Sequence, residues 1–423
     1  MMSQEKIGPA RLLFPLFLGL TVLLAGCSVE ETAPGMEAAL RAQIAYRVYS
    51  ETFYDDSGVA LFEYKITQPE VTIPGQESAA DAINRYYERQ LEESYALTEG
   101  LENARIDQEA AKEGGYEFIA HVYECTPEVY YNDNNRLSVL NIHYVNSGGA
   151  HPYVYYSSET FDLLTGERLA LTDILGAGDE EVREKVYQTA LAQIEAKAGT
   201  DDFIYYEDYA VTLQDYYDAD NFFLYGSNLV FYYQPYTIAP YAAGLPMFTL
   251  DLAEVGLPAL DPAAFSTNEL ARELHRQAGM LIERNRVCFC EIFGLSMLEV
   301  DFSEDQALEG TLYPVIDPRF PSYVDLDAFV YSTYIKQEAA ALLASGRYWD
   351  IKGWLYADLS KDTGMGYYVN WNNYRYAISE ITATEATLQI NTTADSPAGH
   401  EDVAITVKMI KEDGLWLLEK MFY

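Results

Sequence analysis

The chain has 423 residues, with 27 Lys+Arg against 66 Asp+Glu and a formal net charge of −39. Its 49 % hydrophobic and 22 % charged residues are a globular composition, with length enough for about two or three domains. So acidic a surface repels phosphate backbones, which argues against nucleic acid as a partner and favours a cationic one. The 37 tyrosines fit a β-rich chain, because aromatic side chains pack well on pleated surfaces.

At the N-terminus, Lys6 and Arg11 precede the apolar run of residues 12–26, and Cys27 follows it. An apolar run of about 15 residues is short for a membrane span and suits a signal peptide. Leu24-Ala25-Gly26-Cys27 resembles a bacterial lipobox. That resemblance implies cleavage before Cys27, acylation of its thiol with fatty acid such as palmitate, and an extracytoplasmic protein lipid-anchored to the bacterial cell membrane. An uncleaved N-terminal anchor is the alternative, and it puts the remaining chain on the same side. No later segment reaches 18 consecutive apolar residues.

Residues 27–56 open polar and Ala-rich and read as a tether. Loose alternation predicts a strand over 61–67, ended by Gln68-Pro69, and then a helix from Ser78 to beyond Tyr95, with Ala82-Ile83, Tyr86-Tyr87 and Leu91 at helical spacing. Strands follow at 116–123, 136–145 and 153–162, with turns at Tyr131–Asn135 and Leu164–Glu167. A charged helix covers 179–198, and short strands fall at 222–224, 229–233 and 248–252. Gly256-Leu257-Pro258 and Asp261-Pro262 mark a boundary, so 256–310 reads as a linker containing a helix over 267–291, capped near Ser266–Glu269. The last unit, 311–423, offers a helix across 326–344. Strands follow near 351–357, 374–381, 386–392, 402–410 and 415–422, the final hairpin turning at Asp413-Gly414. Without a regular βαβ repeat, the fold class is α+β, with two mixed α/β-sheet domains at 57–255 and 311–423.

Beyond Cys27 the cysteines are Cys125, Cys288 and Cys290. Three thiols cannot all pair within one chain, and no His lies at ligand spacing from Cys288-Phe289-Cys290, so buried reduced thiols on a helix are expected in preference to a metal site. A zinc site from His121, His143 and His151 is a minor alternative to a structural role in which His151 ties the Gly148-Gly149 turn. No nucleophile elbow, zinc-protease motif, P-loop or dinucleotide fingerprint is present, so no catalytic residue, metal or cofactor is assigned.

Ser147-Gly148-Gly149-Ala150-His151-Pro152, Thr160-Phe161-Asp162-Leu163, Thr165-Gly166-Glu167, Leu171–Leu175 and Tyr236–Gly244 occur in that order. Together they resemble the extracytoplasmic domain of RsiV-like, lysozyme-sensing anti-sigma factors, over roughly 57–255. The same domain pair also stands in front of the catalytic domain of some peptidoglycan deacetylases. The sequence departs from the anti-sigma pattern in having a lipobox and no sigma-binding segment, so a stand-alone envelope module is implied. Residues 311–423 faintly resemble cystatin-like or NTF2-like folds, including IseA-type inhibitors of cell-wall endopeptidases. The carriers are Tyr313-Pro314-Val315, Gly346-Arg347-Tyr348, Gly353–Tyr356 and Asp413–Trp416. Such folds hold a cone-shaped cavity, which Trp354, Tyr356, Tyr367 and Trp371 could line, with Asp350 and Asp358 available as carboxylates; a plain core role is the alternative.

These readings lead to an envelope protein that binds a cationic cell-wall hydrolase, lysozyme-like or endogenous, as sensor or inhibitor. A peptidoglycan- or glycan-binding module and a wall-modifying enzyme are the alternatives. Candidate partner-binding residues are His151, Tyr236 and Tyr241. With them stand the acids of a stretch that has no Lys or Arg between Lys197 and Arg272: Asp201, Asp202, Glu207, Asp208, Asp215, Asp218 and Asp220.

Overall fold

A computed structural model describes residues 39–92, 95–149, 151–303, 308, 310–362, 368–397 and 399–423. The lipobox and Cys27 lie outside the described residues. In chain order the elements begin with β1 (Gln43–Tyr54), β2 (Ala60–Thr72), α1 (Glu77–Glu92), α2 (Tyr95–Gly114), β3 (His121–Asp133), β4 (Arg136–Asn146) and β5 (Tyr153–Asp162). Next come α3 (Leu171–Leu175), α4 (Asp179–Glu195), α5 (Tyr209–Asp215), β6 (Phe222–Tyr225), β7 (Asn228–Tyr232), β8 (Met247–Asp251) and α6 (Pro262–Val287). The chain ends with β9 (Leu312–Pro314), α7 (Tyr323–Tyr331), α8 (Lys336–Leu343), β10 (Tyr348–Ile351), β11 (Trp354–Asp358), β12 (Tyr368–Val369), β13 (Asn373–Ser379), β14 (Glu385–Ser396), β15 (Gly399–Glu412) and β16 (Leu415–Leu418). The mixture is α+β, as the sequence indicates.

One large sheet runs β16-β15-β14-β13-β1-β2-β3-β4-β5, with β12 beside β14, and only β2 and β3 pair in parallel. Strands from both sides of the sequence boundary at 256 therefore share a sheet, joined by β1, which pairs with β13 on one side and β2 on the other. Residues 43–54, which the sequence places in the tether, form this central strand. Residues 39–423 pack as one unit.

Strand alternation settles what each face meets. On one face of β2–β5, α1 buries Ala79, Ala80, Ile83 and Tyr87, and α2 buries Ala104, Gln108 and Ala111 at helical spacing. Helices α1 and α2 replace the single helix predicted from Ser78 onward. On the other face the small sheet β6-β7-β8 packs through Phe223, Val230 and Tyr232 against Leu140. Gly166, φ +76°, lies so close to α1 that an added Cβ would meet the Ala79 carbonyl oxygen at 2.4 Å.

Helix α6 starts earlier than predicted. Asp261, not the Ser266–Glu269 segment, is the N-cap; it accepts from the backbone N–H groups of Ala263 and Ala264, both at 2.8 Å, with Pro262 at the first helical position. Buried His275 on α6 joins three strands. Its Nε2–H donates to the Pro127 carbonyl of β3 (3.1 Å), its Nδ1 accepts from the Tyr376 hydroxyl of β13 (2.5 Å), and its ring stacks on Tyr46 of β1 at 3.5 Å. A carbonyl can only accept, which fixes the tautomer. Burial holds this imidazole neutral, its pKa lowered to about 3.

Further along α6, Asn285 is fully buried; its amide donates to the Phe422 carbonyl, and its oxygen accepts from Tyr334 and the Phe422 N–H. Tyr334, turned inward here, separates α7 from α8 where one continuous helix is predicted. Cys288 and Cys290 follow in a π-helical turn, and Cys125 lies on β3; all three are free. Burial raises the Cys288 thiol to about 12 and also raises Cys125.

His275→Leu leaves the Tyr376 hydroxyl and the Pro127 carbonyl buried without a partner. It is expected to cost about 2–4 kcal/mol in urea unfolding while leaving a single transition, because both sides of the boundary share the sheet.

Candidate functional site

Two places concentrate chemistry, one beside the start of β5 and one along the face of β5 that meets α1 and α2. The first is on the surface. His151 precedes β5, and Tyr236 and Tyr241 lie on the loop between β7 and β8. The Tyr236 hydroxyl meets His151 Nε2 at 3.1 Å, the His151 and Tyr241 rings stack at 5.3 Å, and so do Tyr236 and Tyr241. His151 thus ties to the distant loop rather than to the Gly148-Gly149 turn; among the described residues its Nδ1 meets only the adjacent Pro152 carbonyl, at 3.0 Å. Tyr236 has φ +67°, a backbone state that costs a non-glycine residue about 1–3 kcal/mol. The side chain of Gln234 holds this loop to the sheet edge by donating to the Tyr156 carbonyl (2.8 Å) and accepting from its N–H (3.0 Å).

The acidic stretch adjoins this stack. The Tyr206 N–H donates to the Ile238 carbonyl (3.0 Å), so the segment carrying Glu207 and Asp208 is pinned to the Tyr236–Gly244 loop. The Tyr233 hydroxyl donates to the Leu213 carbonyl and anchors α5. Asp201, Asp202, Glu207, Asp208, Asp215, Asp218 and Asp220 are all exposed. Among the described residues only Asp220 has an ion-pair partner, Arg168 at 3.0 Å.

The second place went unnoticed in the sequence. Between α1, α2 and the facing strands lies a cleft of about 410 Å³, lined by Gln68, Tyr87, Glu99, Asn141, His143, Tyr155, Ser157 and Glu159 among others, and next to it, sharing Glu99, Tyr123 and Tyr155, a second hollow of about 360 Å³ beside His121. Glu159 is 6 % exposed; its carboxylate accepts from the Asn141 amide at 2.8 Å and from the Tyr86 hydroxyl at 3.3 Å. Burial outweighs these bonds and pushes the Glu159 carboxyl up to about 7. His143 shares hydrogen bonds with the Tyr123 and Ser157 hydroxyls, both at 2.9 Å, and burial lowers its pKa to about 4. Shifted titratable groups in a cleft are a physical marker of function.

The three histidines proposed for zinc do not converge. His121 faces Asp107 at 3.1 Å, His143 bonds hydroxyls and His151 is on the surface. No cluster of three or more metal-ligating side chains occurs among the described residues. The aromatic cavity weighed against a plain core role near the C-terminus is not assembled among the described residues: Trp354 is 67 % exposed, Trp371 is buried in the core, as the core reading has it, and Tyr367 lies outside the described residues.

Comparison with protein families matches residues 57–154 to the family described as Deacetylase PdaC, a deacetylase-associated domain. Residues 172–253 match the DUF3298 family, described as a protein of unknown function. No catalytic family is identified in these matches. The curated proteins contain no match. A solved DUF3298-family structure from Bacteroides fragilis is 19 % identical and covers 55 % of this chain and 98 % of that one, with a TM-score of 0.39. One from Pseudomonas aeruginosa is 16 % identical and covers 54 % and 97 %, with a TM-score of 0.34.

The sign of the pH dependence follows from these shifts. Between about pH 4.5 and 7 the folded state keeps a proton on Glu159 that the unfolded chain has released, so this group makes stability fall as pH rises. His143 acts oppositely: between about pH 4 and 6.5 the unfolded chain binds the proton, so its contribution rises with pH. Glu159→Gln is therefore expected to gain stability relative to the parent on going from pH 5 to pH 8, on the order of 2–3 kcal/mol, measured by urea unfolding at both pH values.

Proposed function

We propose that this protein is an extracytoplasmic envelope module that docks a cationic cell-wall hydrolase of the lysozyme type, as sensor or inhibitor. The docking face is the acidic 201–220 segment together with the His151–Tyr236–Tyr241 stack, and acylated Cys27 holds the module at the membrane. The carrying observation is the Tyr206–Ile238 hydrogen bond, which pins a largely unneutralised acidic segment beside a fixed aromatic stack. Rigid aromatics beside a charged rim fit an interface in which the rings anchor and the charges steer. The RsiV-like motif order and the deacetylase-associated and DUF3298 matches support a wall-associated setting. On this reading, Tyr236 is strained because the partner requires its ring to be presented outward.

Surface-immobilised protein is expected to capture lysozyme at low salt, with association slowing as salt rises. Neutralising Asp215 and Asp218 to Asn is expected to slow association by roughly tenfold with little change in dissociation, whereas Tyr236→Ala is expected to speed dissociation. Failure to capture lysozyme or any endogenous wall hydrolase would overturn the reading.

A further inference from the structure

The cleft between α1, α2 and β2–β5 has no part in the docking face just described, yet it has the features of a ligand site. Its two neighbouring hollows, about 410 and 360 Å³, share Glu99, Tyr123 and Tyr155 and fall in the roughly 300–1,000 Å³ range of small-molecule sites. Its lining narrows the ligand. Among the described residues no Lys or Arg lines either hollow, so a phosphate or carboxylate would find no counter-charge there. The deep wall is polar: the Asn141 amide, the Ser157 and Tyr123 hydroxyls, the His143 ring and the Glu159 carboxyl make an array of donors and acceptors that suits a neutral polar molecule.

Two further observations point to an occupant. The Tyr87 hydroxyl, on a side chain only 5 % exposed, lines the cleft and has no hydrogen-bond partner among the described residues. A buried polar group left so costs about 1–3 kcal/mol, which a ligand hydroxyl or amide would recover. The rings of His143, Tyr155 and Tyr153 also form a ladder: His143 and Tyr155 stack at 4.3 Å and 1°, Tyr155 and Tyr153 at 5.9 Å, and Tyr153 is 44 % exposed at the outer end.

A sugar ring has this pair of surfaces, a C–H face that packs on an aromatic ring and an equatorial edge of hydroxyl or acetamido groups. We infer that the cleft binds a neutral sugar unit of a glycan, its C–H face toward the Tyr155 ring and its polar edge toward Tyr87, Asn141, Ser157 and Glu159. This site is separate from the hydrolase-docking face, and either can hold without the other.

The test titrates the full chain in detergent with tri-N-acetylchitotriose by calorimetry, with the fully deacetylated, cationic trimer in parallel. The expected result is saturable binding of the neutral trimer, weakened at least about tenfold by Tyr155→Ala and unchanged by Tyr236→Ala. Hydrogen exchange in the unsubstituted protein supplies a readout that does not depend on the variant folding: the trimer is expected to slow exchange in α2 and β4–β5 and leave the 236–244 loop unaffected. Four results would overturn the inference: no saturable binding, binding of the cationic trimer alone, binding insensitive to a folded Tyr155→Ala, or protection confined to the 236–244 loop. Lysozyme capture by Tyr155→Ala is expected at the parent level, so loss of sugar binding is distinguishable from loss of the docking face.

Discussion

The neutral imidazole of His275 is the interaction on which the architecture turns. It donates into β3, accepts from β13 and stacks on β1, so three strands far apart in sequence are registered by one side chain on α6. Burial keeps the imidazole neutral, so Nδ1 retains a lone pair for the Tyr376 hydroxyl while Nε2–H donates to the Pro127 carbonyl. Tyr46 and Tyr376 stack at 5.3 Å beside it, so the junction of β1 with β13 is filled by rings rather than by the aliphatic side chains of an ordinary sheet core. With this junction fixed, β1 can carry β2 on its other edge, and the sheet extends across the sequence boundary without a break.

That continuity gives β5 its two uses. As the edge strand of the large sheet, it sends Tyr155, Ser157 and Glu159 toward α1 and α2, and Tyr156, Ser158 and Thr160 toward β6 and β7, by the twofold alternation of a strand. The Ser158 hydroxyl donates to the Phe222 carbonyl and the Ser138 hydroxyl accepts from the Leu224 N–H, so the second sheet is bonded as well as packed to the first. Gln234 satisfies the Tyr156 backbone on the exposed edge, which blocks pairing with another strand and sets the loop that bears Tyr236. The surface stack and the polar cleft thus both derive their geometry from ten residues, Tyr153–Asp162.

What the sequence conveyed depended on whether a signal was local. Strand β5 was legible to the residue because turns bound it on both sides, and the hairpin at Asp413-Gly414 because both residues take positive φ, as the dipeptide implies. Strand β1 was not, since only Tyr46 and Val48 of its twelve residues are buried and its polar pattern resembles a tether. The start of α6 was misplaced because Asp261-Pro262 looks like a break, although a capping Asp followed by Pro is equally a helix start. His151, Tyr236 and Tyr241 could be singled out as motif residues, and the fold brings them together. Glu159 could not be singled out: it is one of 66 acidic residues, and its raised pKa comes from burial, which outweighs the hydrogen bonds from Asn141 and Tyr86 and which only the tertiary structure supplies.

The acidity itself becomes more specific once the cations are located. Arginines are committed to structural pairs: Arg276 holds buried Glu128, Arg286 and Arg319 share Glu291, and Arg319 also clamps Asp317. Such networks neutralise carboxylates near α6 and the C-terminal strands, where a bare charge would face the core. The stretch between Lys197 and Arg272 has no cation of its own, so its acids can be neutralised only from elsewhere in the fold. Among the described residues Arg168 does so at Asp220 and Arg272 at Glu269, and the other acids of the 201–220 segment have no ion-pair partner. Folding therefore leaves this charge uncompensated beside a rigid aromatic stack, and in the docking reading the missing counter-charge comes from the partner.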